Sequence, residues 1–311
     1  MNITNSLKIR EFWDEEQKKY EKFGADIKDE ISKLLKTSGI YAKTSFRTKE
    51  VDSLIKKLSR KDKTYDDIHD KVGVRAVVQF KDNLYKADSL FKEHFGERIN
   101  KREDMCEKLG ENIFGYQSIH YDISDIWDNK KVYCELQLRT ICQDNWSELS
   151  HAIAYKSEIN IPLCIKREIN ALSAVFELAD NQFQHIQNLI NQLPDTNPIR
   201  IMNYLDKMFY TYLGSFYDKE LTSYFLKNIE NIYDQKENPI ELLKVFIDEN
   251  LPFIVKMVEE NSNNAFFTQP EIIVILERLQ NRKYDLCMYW EQLYELDELE
   301  SIANSWGTSI L

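Results

Sequence analysis

The sequence is poor in residues that break or staple a chain: 311 residues include only 8 Gly, 6 Pro and 5 Cys. With a hydrophobic content of 43%, that scarcity excludes collagen-like and low-complexity disordered classes. Cys106, Cys134, Cys142, Cys164 and Cys287 are odd in number and form no C-x-x-C pair. A disulfide scaffold is therefore excluded, and free thiols in a reducing compartment are expected. No apolar run approaches the roughly 18 residues of a membrane span, and the opening MNITNSLKIR lacks the apolar core of a signal peptide. The expectation is a soluble, cytoplasmic protein without membrane association, long enough for one or two cores.

Several chemical signatures are missing too. Neither G-x-G-x-x-G nor G-x-x-x-x-G-K-[ST] occurs, and the Cys and His spacings make no zinc site. His69-Asp70 has the form of a phosphohydrolase metal dipeptide, but that chemistry needs further His and Asp around it, and the chain has five His in all.

The charge is unevenly spread. Residues 1–160 hold 29 Lys+Arg and 29 Asp+Glu, whereas residues 161–311 hold 12 and 23, so the C-terminal half carries the whole net charge of -11. A basic cluster stands out inside the neutral half. Eight cations (Lys43, Arg47, Lys49, Lys56, Lys57, Arg60, Lys61, Lys63) face three acids (Glu50, Asp52, Asp62) between 43 and 63. It reads as a solvated helix face or as an anion site.

Hydrophobic spacing predicts one or two helices over 8–36, with Gly24 as a weak point. IYAKTSFR reads as a strand, KEVDSLIKKLSRK as a helix, VGVRAVVQF (72–80) as a buried strand and NLYKADSLFKEHF as a helix ending near Gly96. Residues 97–114 have no clear period and read as a loop. YQSIHYDISD and KVYCELQLRT alternate and are expected to pair as a hairpin. From Cys142 the pattern is helical: a long helix over 165–193, stopped by LPDTNP, then segments near 199–217, 219–234, 239–260, 270–281 and 283–304, punctuated by Pro239, Pro252 and Pro270. His185 reads as an ordinary helix residue.

Polar residues gather where strands end. Arg47 and Lys49, two apart in an extended entry, project to one side, and Ser53 and Lys57 share one helix face. Converging cations at a helix start suit a polyphosphate. Asp70 precedes a strand and Glu135 sits in another; two such carboxylates hold Mg²⁺ against phosphate oxygens. Tyr116 and His120, in GYQSIH, offer a stacking face and a polar contact. Each also has a structural reading: Asp70 as a cap, Tyr116 as core, Glu135 as a surface strand position.

Taken in order, RTKEVDSLIKKL, DKVGVR, GYQSIH, ELQLRT and WSELSHAIAYK closely resemble the synthetase domain of the RelA/SpoT family, the alarmone synthetases, across roughly 12–190. The resemblance implies an α+β fold: a mixed β-sheet of about five strands flanked by helices, related to nucleotidyltransferases. It implies transfer of the β,γ-pyrophosphate of ATP to the ribose 3′-hydroxyl of GDP or GTP, releasing AMP. Arg47, Lys49, Ser53, Lys57 and Arg75 match ATP-binding positions. Asp70 and Glu135 match the Mg²⁺ carboxylates, Glu135 also activating the 3′-hydroxyl. Tyr116 matches the aromatic that stacks on the acceptor's guanine, with His120 beside the acceptor phosphates; Gln137, Arg139, His151 and Lys156 match further acceptor-side positions.

Two departures accompany the match. The acceptor loop reads KLGENIFGYQSIH, with Phe114 where long bifunctional members carry Asn and Lys108 as the nearest upstream Lys. The stretch before Arg47 reads as helical, so the resemblance implies a single-function small synthetase. An alternative activity fits the same motifs, pyrophosphorylation of the tRNA 3′-CCA end or of adenosine nucleotides, although the net charge of -11 opposes a tRNA partner. A nucleotide sensor without turnover is a third reading. The expected organisation is a synthetase domain over 1–160, a connecting helix over 161–194 and a helical domain over 195–311 that serves oligomerisation, caps the synthetase or binds a protein regulator.

Overall fold

The computed structural model describes residues 6–59, 64–109, 113–115, 117–127, 129–155, 161–213, 219–227, 232–234 and 236–310. The chain divides into two compact units, Met1–His185 and Ile186–Leu311.

The first unit opens with helix α1 (Ser6–Thr37), followed by strand β1 (Ala42–Thr48), helix α2 (Val51–Leu58), strand β2 (Val72–Val78) and helix α3 (Lys81–Phe95). Strand β3 (Ile99–Asp104) leads through the short helix α4 (Met105–Lys108) to the pair β4 (Ile119–Trp127) and β5 (Lys130–Thr140). Helix α5 (Ile141–Ser150) and a π-helical turn at His151–Tyr155 precede helix α6 (Leu163–Asn191). The sheet order is β1-β2-β5-β4-β3. β2 and β5 run parallel at its centre, and the other pairs are antiparallel. This is the mixed five-stranded sheet flanked by helices that the family resemblance implies.

Period-two alternation builds the core. Val72, Val74, Ala76 and Val78 of β2 face inward, as do Cys134, Leu136 and Leu138 of β5 and Ile119, Tyr121 and Ile123 of β4. They meet Trp13, Phe23, Ile27 and Ile31 of α1 and Phe91 and Phe95 of α3 in one cluster. Gly24 does not interrupt α1. A Cβ there would lie 2.6 Å from Val72 Cγ2 and 2.7 Å from Phe46 Cδ2, so the glycine lets the helix lie close on the sheet. The β4–β5 register joins Trp127 to Lys130, and Asn129 takes φ 59°, a left-handed conformation that Asn tolerates.

The loop expected over 97–114 is corrected: β3 pairs with β4 there. It escapes the hydrophobic pattern because its inward residues include Arg102, which bonds buried Asp88 at 2.7 and 3.0 Å, and buried Asp104. The charges of this edge strand also deter pairing with another chain.

In the second unit, α7 (Pro198–Tyr212), α8 (Lys219–Leu226), α9 (Pro239–Glu260), α10 (Ile272–Asn281), α11 (Lys283–Trp290) and α12 (Leu296–Ser305) enclose a separate core that includes Phe209, Phe246, Ile275 and Trp290. Asn197 and Asn238 cap α7 and α9, each followed by Pro at the first turn. Pro252 lies inside α9 without ending it, whereas the segment expected over 283–304 is two helices. Arg278 is buried, ion-paired with Glu277 and Glu237 and laid over the Tyr233 ring at 4.2 Å. No helix among the described residues is long and apolar enough to cross a membrane.

Candidate active site

The face of the sheet opposite the core is polar because residues two apart on each strand share it. Its register places Arg47 opposite Gly73, Gly73 opposite Glu135 and Glu135 opposite Asp122. The next row is Ser45, Arg75, Gln137, His120 and Glu103. A cleft of about 360 Å³ opens there, lined among others by Lys57, Asp70, His120 and Glu135.

Two side-chain groups meet on this face. In the first, Lys49 Nζ donates to Asp70 Oδ2 at 2.6 Å, and Lys57 Nζ donates to the same oxygen. Lys49 is positioned by its own backbone N–H, which bonds Lys71 O at 2.8 Å. Burial alone would raise the Asp70 carboxyl, but these lysines hold it below its ordinary value. The Lys49 ammonium is pushed down by burial despite Asp70, with Lys57 beside it adding repulsion. Glu135 accepts from His120 Nδ1 at 3.3 Å and from Gln137 Nε2 at 2.9 Å. Burial and the Asp70 charge push the Glu135 carboxyl up, yet the His120 bond and charge leave it below the usual value. It is ionised at neutral pH.

The second group is cationic. Arg75 Nη1 bonds Glu148 Oε1 at 2.6 Å and Asp144 Oδ1 at 3.1 Å; Arg139 Nη1 bonds the same Asp144 oxygen at 3.0 Å. The His151 imidazole is held down by partial burial and then by the charges of Arg139, Arg47 and Arg75, so three arginines stand near an imidazole that they disfavour charging. Gln137 joins the groups, since its Oε1 accepts from Arg139 Nη2 at 2.7 Å while its amide nitrogen holds Glu135. The cap of α5 holds the carboxylates in place: Thr140 and Gln143 form a reciprocal capping box, so Asp144 and Glu148 fall on successive turns of one face.

Of the residues singled out by sequence, Lys49, Lys57, Asp70, His120, Glu135, Gln137, Arg139, Arg75, Arg47 and His151 thus occupy this face or its rim. Ser53 is exposed on α2. Tyr116 and Lys156 lie outside the described residues. Sequence reasoning missed Asp144 and Glu148, for which their i, i+4 spacing in DNWSE was the available signal. It also missed Asp122, whose inclusion depends on strand register.

The donor set suits Mg²⁺. Asp70 and Glu135 line one cleft, and Glu135 feels the negative charge of Asp70. Among the described residues no group of three or more His, Cys, Asp or Glu is gathered to hold a metal. Two carboxylates completed by substrate oxygens is the way Mg²⁺ is commonly held.

The family model described as a region found in RelA / SpoT proteins matches residues 46–160, the stretch that builds both groups. Residues 46–160 are a RelA/SpoT-family domain. The RelA/SpoT domain is similar to the GTP pyrophosphokinase YwaC of Bacillus subtilis, 29% identical over 158 residues that cover 48% of this chain and 74% of the relative. The GTP pyrophosphokinase YjbM of the same organism is 26% identical over 154 residues, 47% and 72% of the two chains. In fold, the chain resembles the small alarmone synthetase 1 of Bacillus subtilis, with a TM-score of 0.51 at 21% identity, covering 58% of this chain and 98% of the other. The same synthetase has been solved bound to its product pppGpp.

Proposed function

We propose that the cleft is the active centre of a GTP pyrophosphokinase that makes (p)ppGpp, transferring the β,γ-pyrophosphate of ATP to the ribose 3′-hydroxyl of GDP or GTP and releasing AMP. The observation that carries the reading is Glu135 beside His120, facing Asp70 with its two lysines, inside a RelA/SpoT domain whose relatives include two GTP pyrophosphokinases.

The division of labour follows the sheet. Lys49, Lys57, Arg47 and Arg75 bind the donor, because several cations converging on one side neutralise a triphosphate. On the other side, His120 and Gln137 orient Glu135 and contact the acceptor. Glu135 takes the proton from the 3′-hydroxyl as the new O3′–Pβ bond forms and the bond from Pβ to the oxygen bridging the α-phosphorus breaks, AMP leaving with that oxygen. Asp70 and Glu135 would hold Mg²⁺, which when bound neutralises phosphate charge and polarises the reacting phosphoryl group. Little covalent chemistry falls to the protein, so its task is in-line positioning.

One assay tests this. Purified protein with Mg²⁺ and γ-labelled ATP is offered GDP, GTP, ATP or deacylated tRNA, and AMP is measured alongside. Label on GDP or GTP with one AMP per transfer is expected. Label confined to tRNA or adenosine nucleotides, or no AMP with any acceptor, overturns the reading.

A further inference from the structure

Three side chains next to the carboxylates have no part in the reaction above. His69 directly precedes Asp70, in the turn that enters β2. Its Nδ1 donates to Asp122 Oδ2 at 2.6 Å, and its ring lies flat on Tyr133, with centroids 3.6 Å apart and planes 3° apart. Asp122 stands opposite Glu135 on β4, and Tyr133 precedes Glu135 by two residues on β5, hence on the same face. The second Asp122 oxygen is buried and has no hydrogen-bond partner among the described residues, so His69 is the side chain that holds this carboxylate. Lys131 Nζ lies 5.5 Å from the Tyr133 ring centroid and adds to the stack.

The arrangement matters because of what binds Asp70. Its hydrogen bonds come from Lys49 and Lys57, the same lysines that the proposed function gives to the ATP phosphates. When the phosphates draw the lysines away, Asp70 loses both partners. The backbone beside it stays tied, through His69, to the two strands that carry Glu135 and its neighbour.

We infer that His69 is a positioning residue: clamped between Asp122 and Tyr133, it fixes Asp70 relative to Glu135 so that both carboxylates reach one Mg²⁺ once ATP has taken the lysines. The inference rests on the assignment of Asp70 and Glu135 as metal carboxylates. A residue that orients a metal ligand without touching the metal typically changes metal affinity by about 10- to 100-fold.

The experiment compares wild type, His69→Phe, which keeps a flat ring but loses the hydrogen bond, His69→Leu, which loses both contacts, and Asp122→Leu. Mn²⁺ binding in the presence of a non-hydrolysable ATP analogue is read by electron paramagnetic resonance, and the Mg²⁺ dependence of transfer is read separately. Mn²⁺ affinity is expected to fall about 10-fold or more in His69→Phe and further in His69→Leu, with kcat restored by excess Mg²⁺. Wild-type Mn²⁺ affinity in the His69 variants overturns the inference, as does a loss of kcat that no Mg²⁺ concentration recovers. A wild-type protein that binds Mn²⁺ with the analogue but transfers nothing to a guanosine nucleotide refutes the proposed function, while the Mn²⁺ comparison still judges His69. Absence of Mn²⁺ binding by the wild type removes the metal role of Asp70 and this inference with it.

Discussion

His120 and Glu135 meet diagonally across the β4–β5 ladder: His120 is registered with Gln137, yet its Nδ1 reaches Glu135 Oε1 at 3.3 Å. Glu135 is thus held on one side by an imidazole and on the other by the Gln137 amide, and both bonds favour the charged carboxylate needed to accept a proton. Glu135→Gln keeps the shape and both neighbours but removes the base. Transfer is expected to fall by about 10²–10⁴-fold, with an unchanged circular dichroism spectrum. Retained activity in a variant of native spectrum would rule out the assigned role.

The donor side yields a KM prediction. Lys57 is part-exposed and holds Asp70 from α2, so Lys57→Met leaves the fold intact while removing one charge from the phosphate cradle. A charge-assisted bond of about 1.5–3 kcal/mol corresponds to a KM for ATP raised roughly 10- to 100-fold. The KM for GDP should stay within about twofold, since acceptor contacts are unchanged. Steady-state kinetics with each substrate varied in turn separates the two.

Acid stability of the first unit depends on Asp88. Burial would raise this carboxyl, but Arg102, Lys92 and Tyr121 hydrogen-bond it and hold it below the ordinary value of 3.8. An acid with a depressed folded pKa stabilises the fold fully above its unfolded value and loses that contribution as pH falls through the folded one. Stability should therefore decline below pH 3.8. In Asp88→Asn that acid-linked loss is smaller, and Arg102 keeps only the longer contact to Asp104 at 3.4 Å, so a charge-assisted hydrogen bond of about 1.5–3 kcal/mol is lost near neutral pH. Urea titrations at several pH values check both effects.

Gly24→Ala tests the helix–sheet contact. On an open helix the change would stabilise by about 1 kcal/mol. Here the new methyl would press on Val72, which is fully buried in the sheet, and overpacking of this kind costs about 1–3 kcal/mol. A lowered melting temperature is expected, and a raised one would show that α1 moves off the sheet freely.

In the second unit, Arg278→Leu removes a guanidinium that neutralises buried Glu277. The uncompensated carboxylate is expected to cost about 3–5 kcal/mol. Replacing Glu277 and Arg278 together by apolar residues should recover much of this, as a double-mutant cycle by chemical denaturation will measure.

The legible parts of the fold were those with a repeating apolar signal. β2, β4, β5, α1 and α3 could be read because each buries one face and so repeats at two or 3.6 residues. β3 could not, because Arg102 takes an inward place and is neutralised by Asp88, a partner 14 residues away in sequence. Pro252 was legible only as a break, although α9 carries it. Within the site, Lys49, Lys57, Asp70 and Glu135 were legible as motif residues. Asp122, Asp144 and Glu148 were not, since nothing local separates a site carboxylate from a solvated one.

By itself the sequence determined which side chains share a strand face, because alternation is a property of the extended backbone: Glu135, Gln137 and Arg139 point one way wherever β5 lies. It also determined where the helices start, through the side-chain caps at Thr140, Asn197 and Asn238. Only the tertiary structure decided which faces meet. Parallel pairing of β2 with β5 sets Gly73 opposite Glu135, and antiparallel β4 sets Asp122 on the other side. Register across strands distant in sequence is fixed by burying Val74, Leu136 and Tyr121 in one core, since a one-residue slip would turn every apolar residue out to water and every site residue in.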